Sequence, residues 1–530
     1  MLVQTIIEKD INHKVQILEY LYSKEMIWVS TDELVKKISV EQRTILKYMT
    51  EIQELITEYC SKEVILLREK NKGYRIKFIK KDSFIMFRLF MINKSIKITI
   101  LNKIFLSGQL NSVHFSFDHY VSSATFKRKI KRINSLIKDY GFKIVSQEGI
   151  YFFKGNEKSI RLFGSIFYWQ LYRGVKWPFL NIDQTKIFSF IDKVSKSLNY
   201  PVSIILKNKI SYNYAIGIIR YSHNEKIELG NQDEWKKIKE INEIVTSRMS
   251  TNIYNLFFSE GIRSEDEIHF NISRLQTGAN IFENQKLALF VIELHKEKKT
   301  VIYQATEAFF KLFLKKMHLN LSDIDQQKVK NIFVAAFSIH YRAFLFQDTP
   351  FIEKDVDQAL KTYKQLNNLM DQIFIELREM LNFSLFNQKY LILNQYMYIF
   401  SELFPLNLLE KEITIYFDEP LEKRREDLAK NMLNNFLGDQ YKLRIFGTSE
   451  LFEVKQEKID LIISSSSSEK FFIYYPKVPI IILKKNILNI SSSEILLCRR
   501  LLELISIYFE DKEEMKSQIN KLENVFYKYN

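Results

Sequence analysis

SSATFKRKIKRINSLIKDYGFKIVSQEGIYFFKG, residues 122–155, is the stretch whose reading decides the fold. Its first half has the marks of a helix: Ser122 and Ser123 offer capping hydroxyls, and neither Pro nor Gly interrupts the chain before Gly141. Phe126, Ile130, Ile133 and Ile137 recur at offsets of 0, 4, 7 and 11 and so share one apolar stripe. Around that stripe stand Lys127, Arg128, Lys129, Lys131, Arg132 and Lys138, with no acidic residue before Asp139. Two short β-type segments, 142–145 and 150–154, follow across a turn at Gln147-Glu148-Gly149. A basic amphipathic helix followed by a small hairpin is the outline of a winged helix-turn-helix, whose recognition helix enters the major groove while cations hold the phosphates. On that reading Thr125, Lys129 and Arg132 point at the groove, and Lys127, Arg128 and Lys131 reach the flanking phosphates. A basic helix that simply faces water is the competing reading of the same pattern.

Upstream the same outline occurs once more. Residues 12–24 place Val15, Ile17, Leu18 and Leu21 inward; Ser30 caps a short helix through Lys37; Ser39 is expected to cap a longer one with Ile45, Met49 and Ile52 at helical spacing. Segments 64–68 and 74–78 flank Asn71-Lys72-Gly73 as a wing carrying Arg75, Lys77 and Lys80. Arg43 and Lys47 are the candidate DNA contacts of this first unit, which is less basic than the second, beginning near Ile98. Two such patterns in series say more than one.

The composition agrees. The 530 residues suffice for three or four domains, and 46% hydrophobic content supports real cores. An aromatic content of 14% with only 13 Gly and 7 Pro favours long packed helices. The net charge of +15 calls for a polyanionic partner. Residues 1–160 hold 28 Lys and Arg against 17 Asp and Glu, so +11 of that charge lies in the N-terminal part. Cys60 and Cys498, far apart in sequence, indicate neither a disulfide framework nor a zinc site. Glu8 and Asp10 stand where a signal peptide would be apolar, and no apolar run approaches the roughly 20 residues that span a bilayer, so a cytoplasmic protein without membrane attachment is expected. No phosphate loop, nucleophile elbow, His-Glu-x-x-His or Cys-x-x-Cys occurs; the expectation is a non-enzyme with no catalytic residues, metal or cofactor.

After the second wing comes an aromatic helix with Phe163, Phe167, Tyr168, Trp169 and Tyr172, read as packing at a domain junction that closes at Trp177-Pro178-Phe179. Gly155-Asn156-Glu157, Ile160-Arg161, Phe167-Tyr168-Trp169, Tyr172, Gly174 and Trp177-Pro178-Phe179, together with the layout of nearly the whole chain, resemble the Mga family. These are stand-alone transcriptional regulators of Gram-positive bacteria, related to the anthrax-toxin regulator AtxA. The resemblance implies a mainly α, multi-domain protein. Its domains would be winged helix-turn-helix units at 1–80 and 81–175, phosphotransferase-regulated helical domains at 176–288 and 289–404, and an enzyme IIB-like α/β domain with C-terminal helices at 405–530. It also implies an activator of transcription that binds promoter DNA, forms a homodimer or higher homo-oligomer, and meets phosphocarrier proteins of the phosphotransferase system. His223, His269 and His340 are then candidate phosphorylation sites, with ordinary core or surface histidines as the competing reading; His295 and His318 have weaker context. In true IIB proteins a cysteine follows the first strand; here the chain reads Phe417-Asp418-Glu419-Pro420, so phosphotransfer through this domain is not expected. An RNA-binding antiterminator shares the helical domains but would begin with a small β-rich module that residues 1–75 do not resemble, and a non-catalytic interaction protein of the phosphotransferase system is a further alternative.

Overall fold

Runs poor in Pro and Gly make the chain mainly α-helical, and the three small sheets form where β-branched and aromatic residues alternate between turns. The computed structural model describes residues 2–507 apart from positions 26, 81, 198–201, 231, 249–253, 255–256, 258–260, 278–284, 350–362, 420, 439, 454–458, 466–472 and 476–477. It divides into two units, one holding residues 1–310, 333–354 and 382–388, the other the remainder.

The first unit opens with α1 (Leu2–Ile6), α2 (Lys9–Ser23), α3 (Thr31–Ile38) and α4 (Gln42–Tyr59), then the hairpin β1 (Val64–Glu69) and β2 (Gly73–Phe78). Ser30 caps α3 by accepting the Glu33 N–H, as the sequence suggests. Ser39 does not cap α4. It lies in the left-handed region (φ 59°, ψ 45°) and closes α3 by donating its N–H to the Val35 carbonyl, whereas an N-cap needs an extended backbone, which Glu41 has (φ −62°, ψ 150°). Val29 forms an isolated antiparallel bridge with Tyr74, and only glycine fits beside it: a Cβ on Gly73 would fall 2.1 Å from the Val29 carbonyl oxygen.

The second winged unit contains α5 (Ser83–Asn93), α6 (Ile96–Ser107), β3 (Leu110–Asn111), α7 (Ser112–Asp118), α8 (Ser123–Ile137), β4 (Phe142–Gln147), β5 (Ile150–Gly155) and α9 (Glu157–Tyr172). Its sheet is antiparallel in the order β3-β5-β4, with Glu148 and Gly149 both at positive φ in the wing turn. The aromatic residues of α9 pack inward: Phe163, Phe167 and Tyr168 surround Phe105, and Tyr168 meets Phe179. Helices α10 (Gln184–Ser197), α11 (Ile204–Ser222), α12 (Asp233–Ser247), α13 (Glu265–Gln276), α14 (Gln285–Glu297), α15 (Val301–Lys316) and α16 (Gln326–Leu345) continue the chain. One hydrophobic cluster runs from Val3 through both winged units to Ile272.

In the other unit α17 (Lys364–Leu381) and α18 (Lys389–Ser401) precede β6 (Ile413–Asp418), α19 (Lys423–Leu437), β7 (Leu443–Phe446), β8 (Leu461–Ser464), β9 (Ile480–Ile482) and α20 (Ser492–Ile507). The sheet is parallel in the order β7-β6-β8-β9, the α/β arrangement expected from alternating strands and helices. Helix α19 starts behind Glu422 rather than at Leu421. Pro420, the serines at 466–468 and the chain from 508 onward lie outside the described residues. Among the described residues no helix is long and apolar enough to cross a membrane.

Candidate nucleic-acid interface

Helix α8 is built as its sequence requires. Ser122 Oγ accepts the Thr125 N–H at 3.2 Å, and Phe126, Ile130, Ile133 and Ile137 are all buried. Asn134 fixes the helix against the wing: its Nδ2 donates to the Ile144 carbonyl at 2.8 Å and its Oδ1 accepts the Ile144 N–H at 2.7 Å. Lys127, Arg128, Lys131 and Arg132 are exposed on the outer side, and none of the four makes an ion pair among the described residues. Arg128 Nη2 donates to the half-buried Thr125 Oγ1 at 3.0 Å, which places Thr125 at the edge of this face.

Lys129 is a correction. It does not face outward, because its Nζ lies 2.7 Å from Glu8 Oε1 with both side chains less than a fifth exposed. Glu8 also accepts from Ser95 Oγ, so Lys129 completes a polar node between the chain start, α6 and α8. On a helix Lys129 is only about 40° from Ile133, close enough to the buried stripe to be drawn in. Beside the entry to α8, Phe117 is 82% and Tyr120 98% exposed, with Tyr120 at φ 52°. The sequence reading passed over these two aromatics, since an exposed side chain and a left-handed backbone leave no periodic signal.

In the first unit Arg43 and Lys47 are exposed, and Lys47 lies 3.7 Å from Glu51. The outer side of α4 also carries Glu54 and Glu58.

Behind the second wing the resemblance motif acquires a physical meaning. Arg161 forms a fork with Glu267 (2.7 and 2.6 Å) and donates to Glu157 at 2.8 Å, while Arg220 grips the same Glu157 at 3.0 and 2.6 Å. Arg161, Arg220 and Glu267 are buried, so two guanidinium groups and two carboxylates balance where a single charge would be costly. The i, i+4 spacing of Glu157 and Arg161 was visible in the sequence; Arg220 and Glu267 were not, because they come from α11 and α13.

The candidate histidines do not share one environment. His223 follows α11 at the surface, and its ring covers Gly108: a Cβ there would lie 2.8 Å from the His223 Cγ. Partial burial, then the nearby Arg220, lowers its pKa. His269 and His340 lie in the packed core instead. Burial pushes His269 down to about 4, and its Nδ1 faces the Asn242 amide at 3.5 Å. His340 is pushed down to about 3 by burial; its Nδ1 is 3.0 Å from Thr306 Oγ1, among Phe309 and Phe386. His295, given little weight from sequence, is equally enclosed, with Nδ1 2.9 Å from Thr300 Oγ1 and a pKa lowered by burial to about 3. In the α/β domain Asp418 accepts from the Tyr416 hydroxyl at 2.8 Å and Glu419 is buried; Cys498 sits inside α20, where burial pushes its thiol up to about 12.

Tandem winged helix-turn-helix units ahead of helical bundles and a parallel α/β domain define the class of protein. Residues 81–172 match the Mga helix-turn-helix domain family. Over 324 residues the chain is 21% identical to the capsule synthesis positive regulator AcpA of Bacillus anthracis, a match covering 60% of this chain and 64%, just under two thirds, of AcpA. Over 485 residues it is 20% identical to a Streptococcus pneumoniae protein described as a candidate trans-acting regulator, covering 87% of this chain and 92% of that one. The resemblance to the Mga/AtxA-like regulators of Gram-positive bacteria therefore holds.

Proposed function

We propose that this protein is a transcriptional regulator that binds duplex promoter DNA through α8, and that it acts as an activator. The observation that carries the reading is the outer side of α8, where Lys127, Arg128, Lys131 and Arg132 face solvent without a carboxylate partner among the described residues. Such a surface suits a polyanion, and a helix-turn-helix frame presents it to a groove. The positive regulation named for AcpA supports the activator assignment. The deciding experiment is a salt-dependent titration of duplex DNA against the full chain. Tight binding with a steep salt slope, outcompeted by duplex DNA and not by RNA, is the expected result; preference for RNA would favour an antiterminator.

Regulation would act through the helical middle, at 176–288 and 289–404. His223 is the candidate phosphate acceptor that lies at the surface, and a phosphate there would add about −1.5 to −2 charges against Gly108 of the second winged unit. Phosphoenolpyruvate with phosphotransferase proteins should label His223, and His223→Ala should abolish the label. Self-association is assigned to the α/β domain, so removing the chain beyond residue 405 should shift sedimentation towards monomer.

A further inference from the structure

At the carboxyl ends of the strands in the α/β domain, one buried carboxylate stands without a donor. The sheet order β7-β6-β8-β9 puts β7 on one side of β6 and β8 on the other, so the chain reverses direction between β6 and β8. In open parallel sheets ligands lie outside the carboxyl ends of the strands at such a reversal. Here Asp418 closes β6 opposite Ser464, and Glu419 is the next residue.

The Glu419 carbonyl accepts from the Leu421 N–H at 2.8 Å and from Thr448 Oγ1 at 3.3 Å, which fixes its backbone beside the end of β7. Its side chain is only 3% exposed, and its Oε1 has no hydrogen-bond partner. The carboxylate makes no ion pair among the described residues. The donors nearby are committed elsewhere. Glu426, also buried, accepts the Ser449 N–H at 3.2 Å and the Ser449 hydroxyl at 2.6 Å, and Lys430 Nζ lies 2.7 Å from Glu450. Glu426 also fills the space beside Gly447, where a Cβ would fall 2.3 Å from its Cδ. The cations that open α19, Lys423, Arg424 and Arg425, are exposed, and none bonds to Glu419.

A carboxylate taken out of water with neither donor nor counter-charge is costly, so this position calls for a cation. It does not suit a phosphate, because the Ser449 donors that could hold one already hold Glu426. A divalent metal would need several oxygen ligands converging on it, and among the described residues no group of three or more His, Cys, Asp or Glu is placed to hold one. An alkylammonium asks for less, since its three N–H donors can be shared between one carboxylate and the carbonyls at the strand ends. We infer that Glu419 is the counter-ion of a small primary amine, bound in its ammonium form at the carboxyl end of β6. The α/β domain then has a ligand of its own, separate from its part in self-association.

The test is calorimetric titration of the full chain, without DNA, against 1,4-diaminobutane, and against KCl, MgCl2 and inorganic phosphate at matched ionic strength. The diamine should bind at a single site per chain, and the three salts should not. Glu419→Gln should weaken the diamine by about tenfold or more, the worth of a hydrogen bond to a charged group. Glu422→Gln, at an exposed carboxylate close by in the chain, should leave the affinity unchanged. Glu419→Asp keeps the charge and should bind better than Glu419→Gln, and it carries the comparison with the wild type if the Gln variant does not fold. Unaltered affinity in a folded Glu419→Gln variant would overturn the inference. So would a wild type that binds KCl or MgCl2 as well as it binds the diamine, or that binds phosphate instead.

Discussion

In the first winged unit the second helix, α4, carries Arg43 and Lys47 together with Glu51, Glu54 and Glu58. In the second unit α8 carries Lys127, Arg128, Lys129, Lys131 and Arg132 and no carboxylate at all. The frames are alike: a short helix, a tight turn, a longer helix and a hairpin. What differs is the fate of the charge. Lys14 and Lys47 both meet Glu51, Lys72 meets Glu69 and Lys80 meets Glu63, so part of the first unit's positive charge, that of Lys47 on α4 included, is offset from within. Exposed pairs of this kind add little to stability, but they weaken the field a phosphate would feel. On α8 Lys129 meets an internal carboxylate, whereas Lys127, Arg128, Lys131 and Arg132 make no ion pair among the described residues and leave the outer face positive. The comparison teaches that topology supplies the frame, whereas uncompensated charge selects which copy meets the polyanion.

The comparison can be broken most directly by removing that charge. A Lys127/Arg128/Lys131 triple Ala variant should lose about three units of salt slope, roughly 0.9 per phosphate contact, and bind every sequence more weakly. Arg132→Ala, if this side chain reads a guanine edge, should cost about 1–3 kcal/mol and relax specificity at one base pair. Unaltered affinity in a folded triple variant would make the first unit the reader.

Lys129→Ala separates the inward cation from the outward ones. It leaves Glu8 without its charged partner in a nearly enclosed position, so urea unfolding should show a loss of about 1–3 kcal/mol. The salt slope of DNA binding should stay the same. A lowered slope with unchanged stability would return Lys129 to the DNA face.

The histidines sharpen the comparison from behind the interface. His269, His295 and His340 have folded-state values of about 4, 3 and 3 against an ordinary 6.5. The unfolded chain therefore binds protons first as the pH falls. Stability is complete above about pH 6.5 and declines towards pH 4, by up to about 1.4 kcal/mol per pH unit for each histidine. Replacing His340 by Gln should flatten the dependence of the urea midpoint on pH between 6.5 and 4.5. An unchanged pH slope would mean that His340 is not held neutral by its burial.

The smallest effects are expected in the first unit. Arg43→Ala with Lys47→Ala should lower the salt slope by less than about one unit, because Glu51 already lies beside Lys47 and fewer cations surround this helix. Glu54→Lys should raise the slope slightly if α4 lies near the duplex, and leave it untouched if α4 faces away.

Much of this was legible in the sequence because it depends on local periodicity. The stripe of Phe126, Ile130, Ile133 and Ile137 specifies α8 and its buried side, and Gly141 and the Glu148-Gly149 turn specify where helix gives way to hairpin. Alternating apolar strands and helices specify the parallel α/β domain. The tertiary structure decided matters that no local pattern contains. It drew Lys129 to Glu8, 121 residues away, and Arg161 to Glu267, 106 residues away, because an ionised group leaving water needs a partner from whichever element packs beside it. It also buried His269 and His340 and left His223 at the surface, although all three look alike in one dimension, since burial is a property of what a helix packs against. And it set Lys143 against Lys154 across a hairpin, a pairing that follows from strand register rather than from either residue's neighbours.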